Sequence, residues 1–491
     1  MNKQILEYRA KAVSMMKQGV DVLIIGGGIT GSGIFNALSN SGLKVALVEA
    51  RDFASGTSSR SSKLIHGGLR YIANGQFSVV MDSVRERDFL IGHTDLVGRK
   101  NFLIPIDANS WSRNTLRFGL WLYSFFSKEI KAKWYSREEL SAEYPFLVHT
   151  PQMGGYVYAE GVVNDARLVV DNILSSIGER SWAINYAEIR SINFDCERAS
   201  SAIVVDKLTG DRFEVPFRFL VNSAGPWVGD IFRMMSDHYP ELEEAAKLIK
   251  LSKGDHIIIK KDLFPVDIAI ALRSPIDGRQ VFIIPRGDVS IIGTTEKEYD
   301  GDPAMVSPEE EDVKYLIDSV KGYVPGLKRS DVINAYSGLR PLFGKGDPGK
   351  ISREYRIIKA GNTVNVVGGK LTTYRTIAIK ISREILREFD VKAEPAISLK
   401  YRRRIDDVKD EIIRQYGQMD DDEISYAYDI LYEGAIHADD ILWRREGHFI
   451  FSEDSGRSKI ERCIDVMKRI NGISEDEAER EKINYLNLIY R

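Results

Sequence analysis

The stretch from Asp21 to Ala50, DVLIIGGGITGSGIFNALSNSGLKVALVEA, restricts the fold more than any other part of the chain. Val22 to Ile25 is an apolar run of buried-strand type, the glycines after it require a tight turn, and Ile34, Ala37 and Leu38 recur at helical spacing until Gly42 ends the helix. Lys44 to Glu49 is then a second strand, which makes a strand, helix, strand unit of the parallel, right-handed kind. At its first junction Gly26, Gly28 and Gly31 are spaced GxGxxG. A backbone without Cβ atoms lets a pyrophosphate approach, and the amides and positive end of the helix hold its charge. Glu49 closes the second strand at the offset where a carboxylate meets a ribose hydroxyl; a solvated or capping carboxylate is the alternative. The unit reads as a dinucleotide site rather than a purely structural glycine turn, and by itself it does not separate FAD from NAD.

A second glycine turn, VVGGKLTTYRTIAIK, makes that separation. The strand Val364 to Val367 breaks at Gly368 and Gly369, and a helix follows Leu371 and Thr372. A helix start far along the chain from the first can aim amides at a second part of a long cofactor, where they stabilise negative charge on a reduced flavin ring. A plain strand-to-helix turn is the alternative.

Helix and strand signals alternate through the middle of the 491 residues, with a charged helical stretch at Val79 to Leu90 and strands expected at Ala202 to Val205, Arg218 to Val221, His256 to Ile259, Val281 to Ile284 and Ser290 to Ile292. The sheet they form is expected to be mixed. From about Pro395 glycine thins and charge rises, and Asp407 to Gln415, Asp421 to Tyr432 and Lys459 to Ile470 read as amphipathic helices of a separate domain. The acidic run Asp420 to Glu423 reads as a helix cap rather than a metal site. Lysine and arginine number 68 against 71 aspartates and glutamates, a net charge of -3 that argues against a nucleic-acid binder. Two cysteines, Cys196 and Cys463, are too few for a disulfide framework and too far apart for a metal cluster, so no metal is expected and a reducing cytoplasm fits. The charged N-terminus is not a secretory signal, and no stretch reaches the ~20 apolar residues that cross a bilayer.

The blocks DVLIIGGGITGSGI, DFASGTSSRSSKLIHGGLRYI, VNSAGPW, IIGTTEKEYDGDP, YSGLRPL, SREYRI and GGKLTTYR, in this order, closely resemble the FAD-dependent glycerol-3-phosphate dehydrogenases of the aerobic, quinone-linked type. The resemblance runs from about Asp21 to about Arg375, and ADDILWRREGH in the tail is similar to that family's C-terminal domain. It implies an α/β fold: a two-layer, Rossmann-like FAD-binding domain of the D-amino-acid-oxidase-related type, an inserted mixed-sheet substrate domain and an α-helical C-terminal domain. Residues 1–393 would form the oxidoreductase region, with FAD-binding segments at about 20–95, 150–250 and 335–390 and substrate segments at about 96–149 and 251–334; residues 394–491 would be the helical domain. The implied reaction is oxidation of sn-glycerol 3-phosphate to dihydroxyacetone phosphate, with electrons passing through FAD to a membrane quinone. A cytoplasmic protein on the inner face of the cell membrane, with peripheral contact, is implied, and a homodimer is admitted.

The same resemblance assigns the site. Arg70, Arg340, Arg353 and Lys370 fall where the family places its substrate cations, and arginine suits a phosphate because its planar fork donates two hydrogen bonds. His256 in KGDHIII is the favoured general base, with His66 in KLIHGG, or an ordered water or an arginine or lysine partner, as the other choices. Together, His256, Arg340 and Lys370 make the catalytic set. Tyr71 packs on flavin or substrate, or is an ordinary core tyrosine. Thr57, Ser58 and Ser62 are expected along the cofactor, as are Ala224, Gly225, Gly368, Gly369, Leu371 and Thr372.

Arg286 stands where many relatives carry an aromatic residue, and GHTDLVGRK departs from the usual stretch; either could alter the entrance to the site or the electron acceptor. RFGLWLYSFF (residues 117–126) is a core helix or an interfacial anchor, and KYRRR (residues 400–404) a solvated junction or a lipid contact. Rival readings are an oxidase of the same substrate that yields hydrogen peroxide, a flavin oxidase of another small hydroxy acid or amine, and an FAD-holding interaction module with vestigial catalysis.

Overall fold

Two sheets organise the chain, whose computed structural model describes residues 2–68, 77–106, 120, 132–346, 351, 354–399, 401 and 403–490. In the first, Val20–Ile25 lies between parallel neighbours Val45–Val48 and Arg212–Asn222. Ser181–Ile184 and Thr363–Val367 extend the parallel part outwards, and Arg356–Ala360 closes one edge antiparallel. The ribbon Ala187–Asp195 and Arg198–Asp206 branches from Arg212–Asn222.

Both faces of this sheet are covered, because its central strands are apolar without alternation. Val22, Ile24, Val45 and Leu47 pack on helices Ile29–Ser39, Asp165–Leu174 and Tyr374–Glu388. Leu23, Ile25 and Ala46 pack on the N-terminal helix Lys3–Lys17, the helix Val228–Met235 and the branching ribbon. The domain therefore has three layers rather than the expected two.

The second sheet has ten strands in the order Lys297–Tyr299, Ile249–Lys260, Val289–Gly293, Gln280–Arg286, Ala269–Arg273, Val97–Ile106, Gly154–Val163 and Leu64–Ile65, with Val332–Phe343 on the second of these and Lys133–Ser136 on Gly154–Val163. It is mixed: Ala269–Arg273 runs parallel to Val97–Ile106 and antiparallel to Gln280–Arg286. All five strands expected from the middle of the sequence lie inside observed ones. The segment limits shift, however. Leu64–Ile65 and Gly154–Val163 fall in expected FAD-binding segments, and Val332–Phe343 crosses the limit near 335, yet all three belong to the second sheet. A strand's own residues do not reveal its partner, which decides membership.

The three expected tail helices are present as Ile405–Tyr416, Asp421–Glu433 and Ile460–Asn471, with a further helix at Glu475–Leu488. Asp420 does cap its helix: its carboxylate accepts from the Glu423 amide at 3.0 Å, and Glu423 accepts from the Asp420 amide at 2.9 Å. The tail packs closely on the second sheet. Ile424, Tyr426, Ile441, Trp443 and Phe449 share one core with Phe102, Tyr158, Ile258, Ile284 and Tyr336 of the second sheet. Arg403, expected in a solvated junction, turns inward to Asp429 at 2.7 Å and Glu446 at 2.6 Å. Residues 117–119 and 121–126, with Lys400 and Arg402, lie outside the described residues. No helix among the described residues is long and apolar enough to cross a membrane.

A two-pronged ion pair fastens tail to body: Arg167 Nη1 and Nη2 donate to the buried Glu433 carboxylate at 2.5 and 2.8 Å. Removing one partner of a buried pair strands the other charge, at a cost of about 3–5 kcal/mol. Glu433→Ala is therefore expected to lower the urea midpoint by that equivalent, whereas Lys247→Ala, at the exposed cap just after the helix Pro240–Ala246, should leave it within about 0.5 kcal/mol.

Candidate active site

One cavity of about 790 Å³ opens between the two sheets and touches both glycine turns. Its first end is the GxGxxG turn. Gly26 has φ +102°, and a Cβ there would lie 2.6 Å from the Ser223 carbonyl oxygen; a Cβ on Gly31 would lie 2.0 Å from the Gly26 carbonyl oxygen. Only bare backbone permits that crossing of helix over strand. Gly26, Gly28 and Glu49 all line the cavity. The Glu49 carboxylate also holds its own turn, accepting from the amides of Gly27 at 2.7 Å and Arg51 at 2.9 Å.

The hydroxyl loop follows. Thr57, Ser58 and Ser62 line the cavity, and each hydroxyl has a protein partner. Thr57 donates to the Leu339 carbonyl at 2.5 Å, Ser58 accepts from the Ile29 amide at 2.9 Å, and Ser62 lies 2.8 Å from His256 Nε2. Ala224 and Gly225 form another stretch of wall, where Gly225 has φ +57° and nothing within 4 Å of a would-be Cβ. At the second turn Gly368 and Gly369 have φ +79° and +112°, and with Lys370, Leu371 and Thr372 they line the same cavity. The Thr372 hydroxyl accepts from the His66 amide at 3.1 Å, which ties this turn to KLIHGG and brings His66 to the wall.

The chemistry-bearing wall is a ribbon of two strands, Ile249–Lys260 and Val332–Phe343. In register, Ser252 faces Arg340, Gly254 faces Gly338 and His256 faces Tyr336. Alternation turns Gly254, His256, Gly338 and Arg340 to the cavity. Lys253 instead binds Asp312 at 2.8 Å, and Asp255 accepts from the Thr295 hydroxyl at 2.8 Å and from Ser337. Burial pushes the Asp255 carboxyl up to about 6. Arg340 Nη2 donates to Thr294 at 3.2 Å, and a Cβ on Gly254 would lie 2.8 Å from it.

His256 is 1% exposed and stacks on Tyr336, ring centres 4.8 Å apart at 8°. Among the described residues its Nδ1 is buried without a hydrogen-bond partner. Burial first, then the charges of Arg340 and Lys63, hold its pKa well below the ordinary histidine value, so the imidazole is neutral at neutral pH.

Arg70, Tyr71 and Arg353 lie outside the described residues. Arg286 does not reach the cavity: its guanidinium donates to the Val163 carbonyl at 3.1 Å and lies 4.8 Å over the Phe451 ring of the tail. Residues 92–100 likewise are not part of the cavity wall, which takes Phe102, Ile104 and Pro105 from the strand they enter. Three features escaped the sequence reading. Glu160 lines the cavity and accepts from Arg87 at 2.9 Å. Lys63 and Asp165 form a buried pair at 2.7 Å. Arg60 joins the wall from the hydroxyl loop. Their partners are distant in sequence, and no local pattern marks them. Among the described residues no group of three or more His, Cys, Asp or Glu side chains is placed to hold a metal ion.

Residues 21–369 match the family model "DAO: FAD dependent oxidoreductase". The aerobic glycerol-3-phosphate dehydrogenase of Staphylococcus epidermidis is 33% identical over 390 residues, which cover 76% of this chain and 69% of that protein. The protein of the same name from Staphylococcus aureus is 34% identical over 391 residues, with the same coverage. Among solved structures, the glycerol-3-phosphate dehydrogenase from Bacillus halodurans complexed with FAD superposes with TM-score 0.73 at 24% identity, covering 98% of this chain and 96% of that one. Glycine oxidase from Bacillus cereus gives 0.56 at 16% identity, covering 78% of this chain and 100% of that one. The tail is thus part of a fold shared with the first of these structures.

The residues present fit FAD. Two glycine turns with left-handed backbone stand at separate parts of one long cavity, and hydroxyls and a carboxylate fix the first turn from the side. Gly31→Ala, which forces the helix away from Gly26, is expected to weaken flavin retention by at least about tenfold, or ~1.4 kcal/mol, measured by flavin fluorescence released on dilution.

Proposed function

Since this chain belongs to the family of FAD-dependent oxidoreductases, we propose that it oxidises sn-glycerol 3-phosphate to dihydroxyacetone phosphate. One observation carries this reading: a neutral, buried imidazole and two cationic side chains, Arg340 and Lys370, meet in the cavity that holds both glycine turns. The names of the Staphylococcus relatives supply the substrate. Bound FAD supplies the hydride acceptor.

Arg340 and Lys370 bind the phosphate dianion; Arg70 and Arg353 complete the cationic set in this reading. The Arg340 fork gives direction as well as charge, and its hydrogen bond to Thr294 fixes the guanidinium plane. His256 takes the proton of the middle hydroxyl as hydride leaves the carbon that bears it, so the alcohol loses two electrons and two hydrogens and becomes a ketone. Ser62 and the Tyr336 ring hold the imidazole in place. Apolar Phe102, Ile104 and Phe282 line the remaining wall and limit water.

The reading extends to a membrane quinone as final acceptor and to peripheral association with the inner face of the cell membrane, supported by the word "aerobic" in the relatives' names. The test is anaerobic. Glycerol 3-phosphate added to the purified protein should bleach the flavin absorbance, and a quinone analogue should restore it. No bleaching would exclude the substrate; rapid recovery with air alone would mark an oxidase. Arg340→Ala should need at least about 100-fold more substrate for half-bleaching, about 2.7 kcal/mol, with flavin retention unchanged.

Base action needs a neutral imidazole, which the protein loses only when pH drops through the lowered pKa of His256. Once the substrate's own phosphate ionisation at about pH 6 is factored out, the kcat/KM profile is therefore expected to stay flat through about pH 6.5, where an ordinary histidine would already halve it. His256→Asn should lower kcat by about 10²–10⁴-fold, and an unchanged kcat would assign the base elsewhere.

A further inference from the structure

The helical tail reaches the wall of the cofactor cavity at one charged junction. Asp52 directly follows Glu49, Ala50 and Arg51, which line the cavity, and precedes Ser55 to Ser58, which line it again. Its buried carboxylate accepts four hydrogen bonds: from Arg444 Nε at 2.7 Å, from Arg445 Nη1 and Nη2 at 2.7 and 2.9 Å, and from Asn185 at 3.0 Å. Both arginines belong to a π-helical turn, Asp440–Arg445. Such a wide turn spaces successive side chains by less than the α-helical angle and is often found at functional sites. Here two consecutive guanidinium groups meet on one carboxylate.

The arginines are braced from behind. Arg444 also binds Asp439 at 2.6 Å and Asp440, while Arg445 donates to the Glu433 carbonyl oxygen at 3.0 Å. Asp440 in turn accepts from the Tyr186 hydroxyl at 2.8 Å and from the Ile436 and His437 amides at 2.8 and 3.0 Å. The preceding residue of the turn, Trp443, stacks on Phe449 at 4.1 Å and lies 4.9 Å below the Arg60 guanidinium, itself part of the cavity wall.

Burying this much charge is a poor way to obtain stability alone, because apolar residues of like volume do as well or better; what it supplies is fixed geometry. The geometry matters at this place. The Glu49 carboxylate is held by the Arg51 amide, next to Asp52, and itself holds the Gly27 amide of the GxGxxG turn. Ser58, on the far side of Asp52, holds the Ile29 amide at the start of the following helix. A shift at Asp52 would displace both props of the dinucleotide turn.

We propose that the C-terminal helical domain completes the cofactor site from outside, with Trp443, Arg444 and Arg445 acting as positioning residues that fix the segment Glu49 to Ser62 through Asp52 and Arg60. The inference depends on FAD binding and not on which substrate is oxidised.

The test reads flavin release from the full-length holoenzyme without substrate, beside hydrogen–deuterium exchange. Arg445→Lys keeps the charge but replaces a fork with a point donor, and Trp443→Leu keeps apolar bulk but removes the ring face. Both should release FAD faster, Arg445→Lys by at least about tenfold, and both should speed exchange in peptides covering residues 49–62. Exchange in the tail helices 460–471 and 475–488 should stay as in the parent protein. Release within about twofold of the parent in the variants that fold would overturn the proposal, and so would loosening of those tail helices to the same degree as the loop. If Arg445→Lys fails to fold, Trp443→Leu decides by the same criteria; failure of both to fold would assign these residues to folding and overturn the positioning role.

Discussion

Eleven residues of Ile249–Lys260 pair with eleven of Val332–Phe343, and that pairing decides where His256 and Arg340 stand. Strand alternation puts His256 and Arg340 on the cavity side, while Ile257 and Ile259 go to the opposite core with Val313, Leu316 and Val320 of the helix Glu310–Val320. The two glycines paired between them keep the wall thin. A Cβ on Gly254 would crowd Arg340, and one on Gly338 would lie 2.4 Å from the Arg60 carbonyl oxygen. A slip of one residue would send Lys253 and Asp255 into the cavity and His256 into an apolar core. Burial of the isoleucines, each worth about 1.5–3 kcal/mol, thus fixes the register that positions the polar groups.

Behind this wall, charge is paired before it is buried. Asp165, at the start of the helix Asp165–Leu174, accepts from Lys63 at 2.7 Å and from the Ser61 hydroxyl at 2.6 Å and amide at 3.2 Å. The ammonium of Lys63 also donates to the Ser59 carbonyl, and the Tyr336 hydroxyl to the Ser61 carbonyl at 2.9 Å. Residues 59 to 63 are therefore strapped on both sides, and Ser62 is delivered to His256 by a network whose members do not themselves react. Lys63 adopts φ +59°, a conformation unusual for a long side chain and held here by its ion pair.

How much of this was legible follows from the range of each interaction. The GxGxxG unit and the tail helices depend on periodicity and turn chemistry within about a dozen residues, and they lie where the sequence puts them. The strand from His256 to Ile259 was also readable, since its apolar run is local. Sheet membership was not: Gly154–Val163 looks like any apolar strand until its ten-residue pairing with Val97–Ile106 is seen. The same holds for the tail. ADDILWRREGH resembled a family block, but nothing within it says that Arg444 and Arg445 meet a carboxylate 392 and 393 positions away. Arg286 misled for a related reason, since its departure from the family pattern is met by Phe451 in the tail rather than at the cavity entrance.

The electrostatics of the wall then couple binding to base strength. Burial, with the charges of Arg340 and Lys63, keeps protons off His256. An anion set against Arg340 offsets that charge, so the proton affinity of the imidazole rises once a phosphate is bound. Before binding, the histidine stays neutral and cannot be lost to protonation near neutral pH. On the proposed assignment of the phosphate to Arg340 and the base to His256, binding would make the imidazole a better acceptor for a hydroxyl proton. On that assignment a phosphate-bearing alcohol would strengthen the base that its own oxidation requires, which a neutral alcohol of the same size would not do.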